Sequence, residues 1–341
     1  MTLSYKFNGQ NYNTNIARFH RLIYEAVGVC ELDLTGFVVL TEAALGAYVV
    51  TPIIAAIAGA KKVYALAKTS SYGSAEEAEN YTLYMANQTG VQDKIEILTK
   101  KDARVVSKAD IITNSGHLRP IDSTMIECMK PTAVISLMYE SWEFRNDDID
   151  IEACREKEIS IVGINERHPS INVFSYLGTM AVKLLMDAGL PVIHNRIILL
   201  CDNDFEPFIV KGLRSAGADV TLRSRYLSEN YSDDSVDAVL VALKPGLDFV
   251  IDNESLQELV NSFPGIIVAQ FWGDIDREFL DSLKVQVYPS LVPRKGHMGI
   301  LPSHIGVDPV INLQTGNLKV AELYLRRKKL IYKGKQIGNI L

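Results

Sequence analysis

Two short polar segments in the first half of the chain, residues 114–119 and 165–169, carry side chains suited to acid/base chemistry. Each segment follows an apolar run typical of a buried strand. Because ligands bind beyond the carboxyl ends of parallel strands, we predict that both segments line a cleft for a small anionic substrate. Imidazole and carboxyl groups transfer protons near neutral pH, and guanidinium groups bind anions. The candidates are His117 and Glu166 for catalysis, and Arg119, Arg167 and His168 for substrate binding.

A late polar segment adds further candidates of the same chemical types. His297 and His304 could supply a proton, and Arg294 and Lys295 could bind the substrate. The alternative for any one of these residues is ordinary loop polarity without a functional role.

The loop after the first predicted strand of the first domain is a degraded nucleotide-binding loop. A dinucleotide fingerprint needs three glycines, and their positions fall on Thr41, Ala43 and Gly46, so one glycine remains. The second strand is followed by Lys68-Thr69-Ser70, where a cation and hydroxyl groups suit the 2′-phosphate of NADP better than the ribose diol of NAD.

The corresponding loop of the second domain has lost all three glycines. Their positions fall on Cys201, Asn203 and Glu206, and Asn203 remains a cofactor candidate. Arg223 and Arg225 follow the next strand, again where a 2′-phosphate would lie, although a solvated loop explains them equally well. NADP or NAD is therefore possible, and the absence of a cofactor is equally plausible.

The elements that must position these residues form two βαβ series. Strands that alternate with helices predict an α/β fold of two tandem Rossmann-like, doubly wound parallel-sheet domains joined by a long hinge helix. The apolar stretch at residues 45–60 predicts a buried helix, and residues 329–341 predict a terminal hairpin around Gly334, a candidate homodimer contact. The predicted ranges are 1–171 for the first domain, 172–189 for the hinge helix, 190–309 for the second domain, and 310–341 for a helix and tail that pack back on the first domain.

The composition excludes several partners and sites. The net charge of −6 gives no broad positive field for nucleic acid or an anionic membrane. The four cysteines lack metal-binding spacing, so we expect no metal site and no disulfide framework. Residues 1–10 have no basic region followed by an apolar stretch, which predicts a cytoplasmic protein.

The order of elements over residues 100–325 resembles the D-isomer 2-hydroxyacid dehydrogenases and, more loosely, the S-adenosylhomocysteine hydrolases. Asp148-Ile-Asp-Ile-Glu-Ala-Cys-Arg-Glu-Lys-Glu-Ile-Ser-Ile-Val162 looks like the strand that leads into the hinge helix, and residues 172–185 look like that helix. Leu301-Pro-Ser-His-Ile-Gly306 looks like the closing histidine segment. The resemblance implies an NAD(P)-dependent oxidoreductase with His304 as acid/base in the interdomain cleft.

Two features depart from that family's pattern. The glycine loop is absent, and the segment expected to carry a substrate-binding arginine reads Ala269-Gln-Phe-Trp-Gly273, with Phe271 nearest the position, so that Arg294 or Lys295 would have to substitute. Three functions therefore remain open. They are an NAD(P)-dependent oxidoreductase, a non-catalytic binding or scaffold protein descended from one, and a cofactor-independent lyase or hydrolase that reuses the cleft residues.

Overall fold

A computed structural model describes residues 2–7, 10–224 and 236–341. The strands, in chain order, are β1 (Thr2–Phe7), β2 (Gln10–Asn15), β3 (Val38–Glu42), β4 (Lys62–Leu66), β5 (Ile95–Leu98), β6 (Ile111–Thr113), β7 (Val134–Glu140), β8 (Ser160–Ile164), β9 (Arg196–Cys201), β10 (Asp219–Arg223), β11 (Ala238–Ala242), β12 (Ile267–Trp272), β13 (Gln286–Tyr288), β14 (Ile331–Tyr332), β15 (Lys335–Gln336) and β16 (Gly338–Ile340).

The α-helices, in chain order, are α1 (Ile16–Cys30), α2 (Val50–Ile57), α3 (Ala75–Gln88), α4 (Ala103–Val106), α5 (Ser123–Cys128), α6 (Ile151–Glu156), α7 (Leu177–Asp187), α8 (Glu206–Ser215), α9 (Asn253–Ser262), α10 (Arg277–Ser282) and α11 (Asp308–Leu325). In the described part of the chain, none of them is both long and apolar enough to cross a lipid bilayer.

The chain forms two compact units, residues 1–173 with 306–341 and residues 174–305. The first unit contains a seven-stranded sheet in the order β16-β8-β7-β6-β3-β4-β5, in which only β16 is antiparallel to its neighbour. Counted along the chain from β3, the six parallel strands stand in the order 3-2-1-4-5-6, the order of dinucleotide-binding sheets. The strand order reverses between β3 and β6.

Two buried helices cover this sheet. Every residue of α2 except Ile57 is buried, which confirms the predicted core helix. Helix α11 packs on β7, β8, α1 and α2. It buries an ion pair, in which the Lys319 ammonium lies 2.7 Å from the Glu322 carboxylate.

The second unit has a five-stranded parallel sheet in the order β10-β9-β11-β12-β13. Counted along the chain from β9, the order is 2-1-3-4-5, the flavodoxin-like order, and it reverses between β9 and β11. Both faces of the central strands are apolar and buried, as expected of a parallel sheet covered by helices. The two Rossmann-like sheets of the predicted fold class are therefore confirmed.

The predicted hinge helix is shorter than residues 172–189. Residues 173–176 form a 3₁₀ turn, α7 begins at Leu177, and the chain leaves the helix at Gly189, whose φ of +82° favours glycine. Helix α7 lies in the second unit and packs against α8.

Short strands lie at both ends of the first unit. Strands β1 and β2 form an antiparallel pair that the polar, mixed sequence of residues 1–10 did not indicate. Strands β14 and β15 form the predicted terminal hairpin, and Gly334 between them has a φ of +76°. Strand β16 then pairs with β8 at the edge of the sheet.

Helices α7 and α8 approach each other at Gly178 and Gly212, where a Cβ on Gly212 would lie 2.3 Å from the Gly178 Cα. We expect Gly212→Ala to lower the free energy of unfolding of the second unit by about 1–3 kcal/mol, because backbone atoms must move apart. Urea unfolding followed by Trp272 fluorescence in a Trp142→Phe background measures this change. The control is Gly28→Ala in α1, which has no atom within 4 Å of the new methyl group and should be neutral or stabilising. Equal urea midpoints for Gly212→Ala and its background would contradict this packing.

Candidate active site at the carboxyl edge of the first sheet

The carboxyl ends of the parallel strands in the first unit carry a row of polar side chains. Strand β7 is buried along its whole length and ends at Glu140, and β8 is followed by Asn165 and Glu166. Strand β6 is followed by residues 114–119. This edge is where a doubly wound sheet binds its ligand.

The reversal point between β3 and β6 is filled by hydrogen-bonded side chains. Glu42 is buried, and its Oε2 accepts the backbone N–H of His117 at 3.0 Å. The Thr113 hydroxyl donates to the Thr41 hydroxyl at 2.8 Å and lies 2.9 Å from the Ser115 hydroxyl. The His117 ring is also engaged, since its Nδ1 lies 3.2 Å from the Leu66 carbonyl oxygen. A carboxylate therefore occupies a backbone N–H that a phosphate could otherwise use.

The predicted cofactor residue Gly46 lies in the loop between β3 and α2. It is buried with a φ of +67°, so a side chain there would strain the backbone. A 3₁₀ turn from Gly46 to Val49 precedes α2, and no side chain caps that helix. This one glycine of the fingerprint therefore forms the turn that leads into α2.

The predicted 2′-phosphate residues follow β4. Lys68 and Thr69 are exposed. The Thr69 Oγ1 accepts the backbone N–H of Ala75 at 3.1 Å, and Ser70 Oγ accepts that of Tyr72 at 3.2 Å, so both hydroxyl groups shape the turn that leads to α3.

A second cation stands near Lys68. Burial lowers the pKa of Lys101, Asp122 opposes that change, and the positive charge of Lys68 adds to the lowering. The Lys101 ammonium donates to the Pro120 carbonyl oxygen at 2.5 Å. Two ammonium groups are thus available beyond the carboxyl ends of β4 and β5, a charge arrangement that suits a phosphate.

Three carboxyl groups converge beyond the ends of β7 and β8, and we call Glu140, Glu143 and Glu166 the carboxyl cluster. Glu140 is buried, its Oε1 accepts the backbone N–H of Glu166 at 2.6 Å, and its Oε2 accepts the indole N–H of Trp142. The Arg167 guanidinium lies 4.0 Å from the same carboxylate.

Two members of the carboxyl cluster, Glu143 and Glu166, retain protons at higher pH than ordinary glutamates do. Burial raises the pKa of Glu166 well above its usual value, the charges of Glu143 and Glu140 raise it further, and Arg167 opposes them. Burial likewise raises the pKa of Glu143 to about 7, against the opposing charge of Arg145, which lies 3.9 Å away. Such a group can both donate and accept a proton near neutral pH.

Tyr139 fixes the loops on either side of this cluster. Its hydroxyl donates to Asp148 at 2.7 Å and accepts from the Asn114 amide at 2.8 Å. The guanidinium carbons of Arg119 and Arg145 lie 5.4 and 4.8 Å from the centre of its ring. Arg119, predicted to bind substrate, is thus part of the framework, since its Nε also donates to the Asn114 carbonyl oxygen at 2.5 Å.

His168, also predicted to bind substrate, is buried. Its Nδ1 accepts the backbone N–H of Ser170 at 3.2 Å, and its Nε2 lies 3.0 Å from the Tyr332 carbonyl oxygen. Both ring nitrogens are therefore engaged, Nδ1 within the loop after β8 and Nε2 in joining that loop to the terminal hairpin. His168 thus lies inside the fold, whereas the neighbouring Arg167 is exposed.

The remaining histidine candidates lie in the second unit. The His304 Nδ1 accepts the backbone N–H of Leu301 at 2.7 Å, so the neutral ring carries its proton on Nε2. Burial lowers the pKa of His304, Lys183 lowers it further, and Asp187 opposes both. Asp187 is thus an acidic neighbour that the sequence could not indicate. The backbone N–H of His297 donates to the Arg294 carbonyl oxygen at 2.9 Å, and the side chain is half-buried.

The cationic candidates of this unit are mostly exposed. Arg294 and Lys295 lie on the surface, and the Lys295 ammonium donates to the Leu247 carbonyl oxygen at 2.9 Å. Phe271 is fully buried. Arg277 lies close in sequence to the Ala269–Gly273 segment, where the resemblance predicts a substrate-binding arginine. It donates hydrogen bonds to Gln270 Oε1 at 2.8 Å and to the Pro289 carbonyl oxygen at 2.6 Å.

The predicted nucleotide residues of the second unit have structural partners. Asn203 donates to the Ala242 carbonyl oxygen at 2.7 Å and accepts the backbone N–H of Phe205 at 3.1 Å, so it ties the end of β11 to the start of α8. Arg223 donates to the Leu222 carbonyl oxygen at 2.9 Å. Arg225 lies outside the described residues.

The structure brings Glu166 and Arg167 together with Glu140 and Glu143, which the sequence analysis did not single out. The sequence did contain a signal for them. Residues 140–143 lie at and just after the end of β7, the longest buried strand of the sheet, just as segments 114–119 and 165–169 follow β6 and β8. The catalytic, cofactor and substrate roles of the sequence-derived candidates stay predictions at this point.

We expect the stability of the protein to fall as the pH rises from about 4.5 to about 7, because folded Glu143 keeps a proton that the unfolded chain releases. Glu143→Gln removes the contribution of Glu143 and leaves that of Glu166, so the free energy of unfolding of the variant should vary less steeply with pH in that window. Urea denaturation at a series of pH values measures the slope. Glu25→Gln, at an exposed position paired with Arg21, is the control and should keep the wild-type slope. A wild-type slope for Glu143→Gln would argue against a raised pKa.

No protein-family model matches this sequence, and no curated protein matches it significantly. Solved structures of similar fold include a dipicolinate synthase subunit from Bacillus halodurans, with a TM-score of 0.54 and 12% identity over 86% of this chain and 98% of that one. A dipicolinate synthase chain from Bacillus subtilis has a TM-score of 0.55 and 9% identity over 87% of this chain and 99% of that one.

A weaker similarity, with a TM-score of 0.48, connects the chain to an NAD-dependent formate dehydrogenase from Staphylococcus aureus, at 15% identity over 81% of this chain and 98% of that one. At these identities the likeness concerns the fold alone. The predicted fold of two Rossmann-like units is confirmed at that level, and the chain shares it with both dipicolinate synthase chains.

Proposed function

We propose that this protein is an NAD(P)-dependent oxidoreductase that acts on a small anionic substrate at the carboxyl edge of the first sheet. The observation that carries the proposal is the carboxyl cluster, in which the pKa values of Glu143 and Glu166 are raised, at the ligand-binding edge of a sheet with the dinucleotide-binding strand order.

The strand order divides the edge into two mononucleotide halves. Strands β3, β4 and β5 form the half that would hold the adenosine, and β6, β7 and β8 form the half beside which the nicotinamide would lie. The Lys68 and Lys101 ammonium groups belong to the first half and suit the 2′-phosphate of NADP. The carboxyl cluster belongs to the second half, where proton transfer to the substrate is required.

When bound, the nicotinamide would supply or accept a hydride. Glu166 would donate the proton to the substrate's carbonyl oxygen during reduction and take it back during oxidation, so that hydride plus proton convert the carbonyl to an alcohol. Glu140 orients this residue by accepting its backbone N–H at 2.6 Å. Arg167 is exposed beside the cluster and would bind the anionic group of the substrate.

A cofactor-independent lyase or hydrolase is the second candidate, and Glu42 is the observation that favours it. The carboxylate of Glu42 lies at the reversal point between β3 and β6, and it already accepts the His117 N–H at 3.0 Å. A pyrophosphate placed at this point would meet a like charge. In this function the carboxyl cluster performs acid/base chemistry without a nicotinamide.

We expect calorimetric titration to show micromolar binding of NADPH, and Lys68→Ala to weaken it about tenfold, or about 1.4 kcal/mol, with a smaller effect on NADH. The matched control is Lys61→Ala, since Lys61 is exposed immediately before the amino end of β4. Failure of all four nicotinamide nucleotides to bind the folded protein would reject the oxidoreductase and leave the cofactor-independent enzyme and the non-catalytic binding protein.

We expect Glu166→Gln to lower kcat by about a hundredfold or more, because an amide cannot transfer the proton, while NADPH affinity stays unchanged. NADPH oxidation is measured against a panel of small 2-oxo acids, and the reverse reaction against the matching 2-hydroxy acids. Glu152→Gln, at an exposed position in α6, serves as the control. Wild-type turnover by Glu166→Gln would exclude its acid/base role.

A further inference from the structure

A cavity of about 610 Å³ opens at the carboxyl edge of the second unit's sheet. Asp202 follows β9, Leu243 and Lys244 follow β11, and Asp252 caps the start of α9. The cavity therefore lies where the strand order of this unit reverses, and its volume is in the range of small-molecule sites. Its position and lining are independent of the carboxyl cluster and of the function proposed above.

The polar part of the lining is predominantly negative. Among the described residues that line the cavity, three aspartates, Asp202, Asp248 and Asp252, carry negative charge and one lysine, Lys244, carries positive charge. The Asp202 carboxylate accepts the backbone N–H of Lys244 at 2.9 Å. This hydrogen bond fixes the carboxylate beyond the carboxyl ends of β9 and β11. A hydrogen bond from the backbone N–H of Ser255, at 2.7 Å, lowers the pKa of Asp252. This charge balance disfavours phosphates and carboxylates and favours a cation.

Apolar side chains form the other part of the lining. Leu243 is buried and Val250 is half-buried, whereas Leu247 and Phe249 are 89% and 55% exposed. Exposed large apolar groups at the rim of a concave site offer contact area to a ligand, and the face of a phenyl ring attracts a positive charge. In the described residues no group of three carboxylate, histidine or cysteine side chains is arranged to hold a metal ion.

We propose that this cavity binds an organic amine with an apolar or aromatic body. Its ammonium group would be bound by the carboxylates of Asp202 and Asp248, and its body would pack against Phe249 and Leu247. Charge-assisted hydrogen bonds to a carboxylate and burial of the body against apolar walls would both contribute to affinity.

The test is calorimetric titration of the full-length protein with phenethylamine, and with phenylacetate as the probe of opposite charge and similar shape. We expect phenethylamine to bind, with an affinity that falls as salt is added, and phenylacetate not to bind. Asp248→Asn and Phe249→Ala should each weaken phenethylamine binding about tenfold. The control is Glu254→Gln, which removes the same charge from an exposed position of α9 outside the cavity lining.

Circular dichroism and urea unfolding establish that each variant is folded. Weakening by Asp248→Asn and Phe249→Ala but not by Glu254→Gln supports the site. No binding of phenethylamine to the wild-type protein overturns it, as does equal binding of phenylacetate or unchanged binding by both cavity variants. None of these results depends on nicotinamide binding to the first unit, so the two proposals can fail separately.

Discussion

Helix α11 is almost wholly buried in the first unit, and the polar groups inside it must therefore find partners there. The Lys319 ammonium is bonded to Glu322 at 2.7 Å and to the Glu31 carbonyl oxygen at 2.9 Å, and Glu322 also accepts the backbone N–H of Asp33. Removing one member of such a pair would leave a buried, uncompensated charge. Because α11 packs on β7 and β8, the strands that lead to the carboxyl cluster depend on this buried ion pair.

The periodicity of apolar residues was sufficient to predict most of the strands and helices, because the central strands of both large sheets are parallel and appear in the sequence as short apolar runs. Strands β1 and β2 were not predicted, although Leu3, Tyr5 and Phe7 alternate with polar residues as in a strand. The end of α7 was placed too late because Gly189 was not read as a helix terminator.

The site was harder to predict because its chemistry depends on distant parts of the chain. The sequence shows His168 only as part of a polar loop. The partner of its Nε2 is the carbonyl oxygen of Tyr332, which is 164 residues away in the chain. Glu140 and Glu166 are 26 residues apart, and their hydrogen bond exists only because β7 and β8 are neighbours. Counting glycines in the loop after β3 could not indicate the hydrogen bond of Glu42 at the reversal point, since its partner, the His117 backbone N–H, lies in the loop after another strand.

The discontinuous first unit has a consequence for folding during synthesis. Its residues 306–341 include α11 and β16, and they follow the complete sequence of the second unit. Residues 174–305 have therefore all been synthesised before the first unit has its buried helix and its seventh strand. Since domains generally fold as units, the second unit is free to fold while the first still exposes the sheet face that α11 will cover. The core of the first unit thus stays incomplete while residues 174–305 are synthesised. Chaperones that bind exposed apolar surface could bind its N-terminal part during that time.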